Sequence, residues 1–325
     1  MNAIEYTSSG GPEVIRVVER PRPEADPGHV LIKVAAAGLN RADVQQRRGV
    51  YPPPPGESDI PGLEVSGTVA AVGDGVEAYD AGAPVCALLA SGGYAEYAAV
   101  PVGQVLPVPD GVGLTEAAGL PEVAATVWSN LVMEAGAARG DTVLVHGASG
   151  GIGAAAIQIL KALGCTVAVT GSSPEKLEFA RSLGADHLID YTREDFPAAL
   201  RERTGGHGAD VVLDVVGAKY LARNLDSLAT GGRLVVIGLL GGARAELDLG
   251  LLMRRRARVI GTTLRARPAA EKAEIMRQVH LHVWPLLASG ALRATTDRTY
   301  PLAQVRDAHE YFDSGSHRGK VLLTM

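Results

Sequence analysis

The chain has 325 residues, 46% of them hydrophobic, which is enough apolar material for two cores of ordinary domain size. Its net charge of −5 at pH 7 argues against a nucleic-acid partner, because nucleic-acid-binding surfaces are basic. No apolar stretch reaches membrane-spanning length, and residues 1–5 lack the basic start and apolar body of a signal peptide. These features predict a soluble, cytoplasmic protein that does not bind membranes.

The first part of the chain is rich in short β-type segments. Residues 1–121 contain alternating apolar runs bounded by glycine and proline, as at 30–34, 64–72 and 94–100. Such runs at this spacing predict a small antiparallel barrel.

The central part of the chain alternates apolar strands with helical patterns. Its six strands are predicted at residues 143–146, 166–170, 187–189, 210–216, 233–238 and 258–263. Near-continuous apolar strands separated by helices indicate a parallel sheet that is covered on both faces. Residues 122–264 are therefore predicted to form a doubly wound α/β domain of the Rossmann type.

The last part of the chain contains an amphipathic helix at 269–288 and an apolar run at 320–324. A strand this late is expected to return to the first domain, which would make the Rossmann unit an insertion. The predicted domains are thus residues 1–121 with 265–325, and residues 122–264.

A glycine-rich turn at residues 147–153 joins the first Rossmann strand to a helical run at 154–163. In such a turn bare backbone amides approach a pyrophosphate, and the following helix N-terminus adds partial positive charge. The spacing is a relaxed form of G-x-G-x-x-G, and glycines also serve tight turns with no ligand. The turn together with the alternating strands predicts a dinucleotide cofactor.

The end of the second Rossmann strand indicates which dinucleotide is bound. In NAD-preferring domains an acidic residue stands about 20 residues past the glycine turn and accepts the ribose hydroxyls. Here the strand ends in Gly171 and Ser172, with no carboxylate before Glu175 and with Lys176 nearby. This pattern favours NADPH over NADH, although Lys176 also fits a solvent-facing helix position.

Metal-ligating side chains are sparse. The two cysteines, Cys86 and Cys165, each lie in an apolar run, which predicts buried, inert thiols. The eight histidines are scattered along the chain. We therefore predict no metal site.

Spaced motifs occur in a fixed order along nearly the whole chain. They are residues 38–43 followed by Arg47, Gly49 and Tyr51, then 61–67, 146–153 and 231–238. With them the chain resembles the zinc-independent NADPH:quinone oxidoreductases of the medium-chain dehydrogenase/reductase superfamily, and looks closest to the p53-inducible quinone oxidoreductase branch. The resemblance implies a GroES-like β-barrel catalytic domain, an active site in the cleft between domains, and a homodimer.

The chain departs from the zinc enzymes of that superfamily at two positions. Asn40 stands where those enzymes place a zinc-binding cysteine, and Leu63 stands where they place a histidine before Glu64. The resemblance therefore implies that no catalytic metal is bound. Gly150 stands where the closest branch has a serine near the nicotinamide, and Ser149 is one position away. Whether Ser149 or Gly150 takes the place of that serine stays open.

The resemblance assigns catalytic roles to Tyr51 and Asn40, as hydrogen-bond donors to the oxygen that gains charge when hydride arrives. Alternatively, Tyr51 pins its proline-rich loop and Asn40 caps a helix. The implied cofactor-binding residues are Asn40, Thr126, Gly150, Gly151, Ile152, Gly171, Ser172, Lys176, Tyr191, Gly217, Gly238, Leu239, Leu264 and Lys320.

Other polar residues of the motifs have structural interpretations. We expect Asp43 and Arg47, four residues apart, to form a helical ion pair. Glu64 is expected to be a structural carboxylate and His146 a packed strand-end residue.

The predicted function is metal-independent transfer of hydride from NADPH to a quinone. The alternatives are an enoyl or enone reductase acting on α,β-unsaturated carbonyls, and a non-catalytic NADPH-binding protein. The expected partner is a small-molecule substrate.

Overall fold

The computed structural model describes all residues, 1–325, and they form two compact units. The first unit comprises Met1–Ala125 and Leu264–Met325, and the second comprises Thr126–Thr263. The second unit is thus inserted into the first. No helix has the length and apolar character needed to cross a membrane.

The β-strands are numbered along the chain. They are β1 (Asn2–Tyr6), β2 (Ile15–Glu19), β3 (His29–Gly38), β4 (Glu64–Val72), β5 (Pro84–Leu88), β6 (Tyr97–Pro101), β7 (Val105–Pro107), β8 (Thr142–His146), β9 (Thr166–Gly171), β10 (His187–Asp190), β11 (Ala209–Asp214), β12 (Leu228–Val236), β13 (Arg258–Gly261), β14 (Thr296–Pro301) and β15 (Lys320–Thr324).

The helices are numbered in the same way. They are α1 (Arg41–Arg47), α2 (Leu114–Ala117), α3 (Pro121–Val127), α4 (Gly151–Leu163), α5 (Pro174–Ser182), α6 (Phe196–Arg203), α7 (Leu221–Ser227), α8 (Leu249–Arg255), α9 (Ala269–His282), α10 (Trp284–Ala288) and α11 (Val305–Asp313). A stretch of wider, π-type turns at Trp128–Glu134 continues α3.

The second unit is built on a six-stranded sheet in the order β10-β9-β8-β11-β12-β13. All of its strand pairs are parallel. The chain winds outward in both directions from β8, which is fully buried and supplies Val143 and Val145 to the core. This topology confirms the predicted doubly wound fold and places the ends of β8 and β11 at the switch point, where such sheets bind ligands.

The first unit contains a seven-stranded sheet in which β3 is the longest strand and pairs with β15, β4 and β6. The last strand, β15, runs antiparallel to β3, so the C-terminal residues belong to this unit. The strand pairs within residues 1–121 are all antiparallel, as predicted, whereas β14, a strand that the sequence analysis did not predict, is parallel to β15. Helix α11 connects these two strands, and a helical crossover rather than a hairpin produces a parallel pair.

The single helix predicted at 269–288 is divided into two. Helix α9 ends at His282 and α10 begins at Trp284. Pro285 lies in the first turn of α10, where its missing N–H leaves no hydrogen bond unmade. The sequence period alone could not separate the two helices, because apolar residues recur with helical spacing through the break.

Candidate active site

The glycine turn leaves the start of α4 as bare backbone. Gly147 has a left-handed φ of +79°, and a Cβ at Gly153 would lie 2.4 Å from the Gly147 carbonyl oxygen. Gly150 occupies the N-cap position and makes no side-chain cap hydrogen bond. The first amides of α4, from Gly151 and Ile152, are therefore free of protein side chains and suited to an anionic group.

His146 ends β8 just before this turn and is buried in an aromatic cluster. Its Nε2 lies 2.8 Å from Asn224 Oδ1, an acceptor, so Nε2 carries the proton and the Thr170 hydroxyl donates to Nδ1 at 2.9 Å. The rings of Phe196 and Tyr220 pack edge-on against the imidazole. Burial lowers the pKa of His146 to about 4, so the ring is neutral and fixes the strand end.

The depressed pKa of His146 predicts acid sensitivity. Because the folded-state pKa lies below 6.5, its stabilising contribution is complete above that pH and is lost as pH falls toward 4. The free energy of unfolding should drop by on the order of 1–2 kcal/mol between pH 7 and 5 from this group. His146→Gln should flatten that slope in urea titrations, whereas the exposed His280→Gln should not. Equal slopes for the parent protein and His146→Gln would contradict the assignment.

The segment that follows β9 presents hydroxyl and ammonium groups and has no acidic residue before Glu175, although Asp190 at the end of the neighbouring strand β10 pairs with Gly171. Lys176 Nζ donates to Ser172 Oγ at 3.2 Å, and Ser173 Oγ caps α5 by accepting from the Lys176 backbone N–H. The exposed Tyr191 is joined to this edge, since its N–H donates to the Gly171 carbonyl at 3.2 Å. The structure thus brings Gly171, Ser172, Lys176 and Tyr191 together.

The loops after β11 and β12 approach each other closely at Gly217 and Gly238, two glycines that were predicted to bind the cofactor. A Cβ at Gly217 would lie 2.8 Å from the Gly242 carbonyl oxygen, and one at Gly238 would lie 2.7 Å from a backbone oxygen of the β11 loop. Asp214, which sequence reasoning missed, accepts a hydrogen bond from the Gly217 N–H at 3.0 Å. A carboxylate at the end of an apolar strand, directly before a glycine loop, was the available signal. Leu239 follows as an exposed apolar side chain.

In the first unit, Asp43 joins the start of α1 to a neighbouring loop. Its carboxylate accepts from the N-cap Asn40 N–H at 2.8 Å, the Gly62 N–H at 3.2 Å and the Tyr94 hydroxyl at 2.8 Å. Burial raises the pKa of Asp43 to about 6, and the hydrogen bonds from Tyr94 and from the Asn40 N–H oppose the rise. Asp43 therefore holds the start of α1 in place against the chain segments that carry Gly62 and Tyr94.

The prediction of an ion pair between Asp43 and Arg47 was wrong. Arg47 instead donates to His309 Nδ1 at 2.9 Å and pairs with the Asp313 carboxylate. The reason is the capping arrangement, because Asp43 reaches back to the N-terminus of α1 and is not available one turn further on. His309 accepts from Arg47 and is therefore neutral, and burial lowers its pKa to about 3.

The Asn40 side chain is held by two buried charges. Its Nδ2 donates to Glu64 Oε1 at 3.0 Å and to the Gly38 carbonyl at 3.3 Å, while its Oδ1 accepts from Lys320 Nζ at 2.7 Å. Both amide hydrogens are thus engaged within the unit. Asn40 has no free donor for a substrate oxygen, so the donor role predicted for it does not fit this geometry.

Tyr51 keeps a free hydroxyl. Its carbonyl accepts from Arg265 Nη1 at 3.1 Å, and the Arg265 guanidinium lies 5.4 Å from the centre of its ring. Arg265 also donates to Ala90 O and Gln46 Oε1, both at 2.6 Å, and so fixes the loop. Burial raises the pKa of Tyr51 and the nearby Arg265 charge opposes the rise. The phenol makes no hydrogen bond within the protein.

The predicted cofactor-binding residues fall in both units. Those of the second unit are Thr126, Gly150, Gly151, Ile152, Gly171, Ser172, Lys176, Tyr191, Gly217, Gly238 and Leu239, and those of the first are Asn40, Leu264 and Lys320. Thr126 is buried, and its carbonyl accepts from Asn130 Nδ2 at 2.8 Å. Lys320 Nζ donates to Leu39 O at 2.8 Å in addition to its contacts with Asn40 and Glu64.

Comparison with known proteins matches both units of this architecture. The family model for the alcohol dehydrogenase GroES-like domain matches residues 26–110, and that for zinc-binding dehydrogenases matches residues 151–279. Rat quinone oxidoreductase is 32% identical over 330 residues, covering 100% of this chain and 98% of its own length. The chain belongs to the quinone oxidoreductases of the medium-chain dehydrogenase/reductase superfamily. The family member from Escherichia coli, solved in complex with NADPH, is 30% identical with a TM-score of 0.89 and full coverage of both chains.

A much longer protein and an enoyl reductase structure are also similar to this chain. A Mycobacterium tuberculosis phenolphthiocerol/phthiocerol polyketide synthase subunit is 31% identical over 316 residues, 96% of this chain. The chain spans only 14% of the length of that synthase. The crystal structure of the CurK enoyl reductase is 27% identical, with a TM-score of 0.86 and coverage of 100% of this chain and 99% of that one.

The matched family name implies zinc, and the polar cluster around Asn40 does not fit it. The cluster offers Leu39 O, Asn40 Oδ1 and Glu64 Oε1, whereas protein zinc sites are built mainly from thiolate and imidazole. The Lys320 ammonium already lies 2.5 to 2.8 Å from all three oxygens. Elsewhere in the chain no three His, Cys, Asp or Glu side chains are grouped as ligands.

Proposed function

We propose that this chain is an NADPH-dependent, metal-independent oxidoreductase that reduces a quinone. The observation that carries the proposal is the end of β9, where Ser172 and Lys176 are joined by a hydrogen bond and no acidic residue follows the strand before Glu175. Two relatives support it, because rat quinone oxidoreductase is named for this substrate class and its Escherichia coli counterpart binds NADPH.

The cofactor site uses the second unit's own residues. Gly150, Gly151 and Ile152 are suited to a pyrophosphate, and Ser172 with Lys176 is suited to a 2′-phosphate. Tyr191 offers an exposed ring beside the same strand end for the adenosine portion. When bound, NADPH supplies the hydride.

The substrate step needs a donor for developing negative charge. Hydride addition to a quinone leaves a hydroquinone anion, and the free Tyr51 hydroxyl is suited to hydrogen-bond its oxygen. The Arg265 charge beside the Tyr51 ring favours that anion as well. A proton from water completes the hydroquinone, so NADPH, quinone and one proton give NADP⁺ and hydroquinone.

An enoyl or enone reductase is the second candidate, and the CurK and polyketide synthase matches favour it. Hydride addition to an enone also places charge on an oxygen, so the same residues serve both reactions. Steady-state kcat/KM values for a panel of ortho- and para-quinones and α,β-unsaturated ketones and thioesters decide between them. Quinones should lead by at least about tenfold, a difference of about 1.4 kcal/mol in transition-state binding. Higher values for enones would reassign the substrate, and NADPH binding without oxidation by either class would indicate a non-catalytic protein.

Metal removal is expected to have no effect. Exhaustive chelation should leave NADPH oxidation by quinones unchanged, because no step in the proposed reaction uses a metal. Elemental analysis of the purified protein should find far less than stoichiometric zinc. Loss of activity on chelation, with recovery on adding zinc, would show that the Asn40 cluster has been misinterpreted.

We also propose a homodimer formed at β13, an edge strand of the second unit's sheet. Exposed apolar side chains lie on β13 and on the preceding helix α8, with Leu249 62% and Met253 76% exposed, and Val259 on β13 is exposed as well. A second copy would pair the free backbone groups and cover these side chains. Sedimentation should show a dimer that Val259→Lys with Met253→Lys converts to a monomer, while Val17→Lys on β2 leaves it intact. A monomeric parent protein would exclude the dimer.

A further inference from the structure

Lys320 is a buried charged side chain of the first unit whose ammonium has a full set of acceptors. It is 5% exposed, and its ammonium contacts Leu39 O at 2.8 Å, Asn40 Oδ1 at 2.7 Å and Glu64 Oε1 at 2.5 Å. An ammonium has three hydrogens, so these acceptors use all of them. None remains for a phosphate or a substrate.

Glu64, the partner of Lys320, is fully buried. Its second carboxylate oxygen accepts from the Glu122 backbone N–H at 2.9 Å, and its first also accepts from Asn40 Nδ2. A Cβ at Gly38 would lie 2.2 Å from Glu64 Oε1, so the carboxylate fills the space beside that glycine. The arrangement is a tight oxygen cage around a single positive charge.

We propose that the Lys320 ammonium is a built-in cation that substitutes for a bound metal ion, neutralising Glu64 and fixing the Asn40 amide. Lys320 is then a positioning residue, not a cofactor ligand, and its effect on catalysis rests on the proposed function. The lysine on β15 thereby joins the end of β3 to the start of β4. The cage itself is a site for a primary ammonium ion.

Removing the side chain should create a site that a small amine fills. Lys320→Ala leaves Glu64 buried without a counter-charge, so we expect a clearly lower thermal unfolding midpoint. Propylammonium should raise that midpoint in Lys320→Ala in a saturable manner but leave the parent protein unchanged. Tetramethylammonium is the matched control, because it carries the charge but no N–H and is too large for the cage. Equal responses to both ions, or to neither, would overturn the proposal.

A second pair of variants keeps the test decisive if Lys320→Ala folds poorly. Glu64→Gln combined with Lys320→Met replaces the ion pair with neutral groups of similar size. The double variant should unfold at a higher temperature than Lys320→Met alone, because no charge is left unpaired. A double variant no more stable than Lys320→Met would show that Lys320 does not neutralise Glu64.

Ligand binding separates this role from direct cofactor contact. In Lys320→Ala the NADPH dissociation constant should stay within about threefold of the parent value, while turnover falls about tenfold and propylammonium restores part of it. A large loss of NADPH affinity, with no amine effect on the unfolding midpoint, would make Lys320 a cofactor ligand instead. The unfolding measurements need no activity, so they test the cation site even if the proposed reaction fails.

Discussion

Tyr51→Phe is expected to lower turnover with quinones by about ten- to a thousandfold while NADPH affinity barely changes. The substitution keeps the ring and its contact with Arg265 and removes only the hydroxyl, which makes no hydrogen bond within the protein. A donor that acts on charge developing in the transition state affects kcat more than binding. Steady-state kinetics with several quinones, together with a fluorescence titration of NADPH, measure both quantities.

The matched control is Tyr97→Phe. Tyr97 is a half-buried tyrosine of the same unit whose ring contacts an arginine, Arg22, at 4.0 Å. Loss of the hydroxyl in Tyr97→Phe should leave turnover within about twofold of the parent value. Unchanged turnover in Tyr51→Phe would assign Tyr51 to loop packing and leave backbone amides or bound water as the stabilising groups.

The second large effect concerns the choice of cofactor. The protein should bind NADPH at least about tenfold more tightly than NADH, the size expected for one charge-assisted phosphate contact. Lys176→Ala should reduce this ratio, mainly by weakening NADPH, because the Lys176 ammonium and the Ser172 hydroxyl lie together at the end of β9.

Lys161→Ala provides the control for charge alone. Lys161 lies on the helix that follows the glycine turn, and its ammonium pairs with Asp186 at 2.8 Å. Its removal should leave the NADPH-to-NADH ratio unchanged. Equal affinities for the two dinucleotides in the parent protein would refute the argument from the missing carboxylate.

The second unit was predictable because its signals are local. Each buried strand of the parallel sheet is a near-continuous apolar run, and the glycine turn at 147–153 has backbone requirements visible in neighbouring residues. The missing acid after Gly171 is likewise a local feature. These patterns predict element type and order without knowledge of distant contacts.

The polar interior of the first unit was not predictable in the same way. Arg47 meets His309 and Asp313 across more than 260 positions, and Lys320 meets Asn40 across 280. No periodic pattern connects such residues, so helical spacing wrongly paired Asp43 with Arg47. The resemblance identified Asn40 and Lys320 as site residues, but only the fold shows that they bind each other.

A single-turnover experiment tests the central claim most directly. Chelator-treated protein loaded with NADPH is mixed rapidly with a quinone, and the oxidation of NADPH is followed optically. We predict one NADPH oxidised per hydroquinone formed, with a slower rate when the transferred hydrogen of NADPH is replaced by deuterium. No NADPH oxidation by any quinone, or oxidation that appears only after zinc is added, would contradict the account.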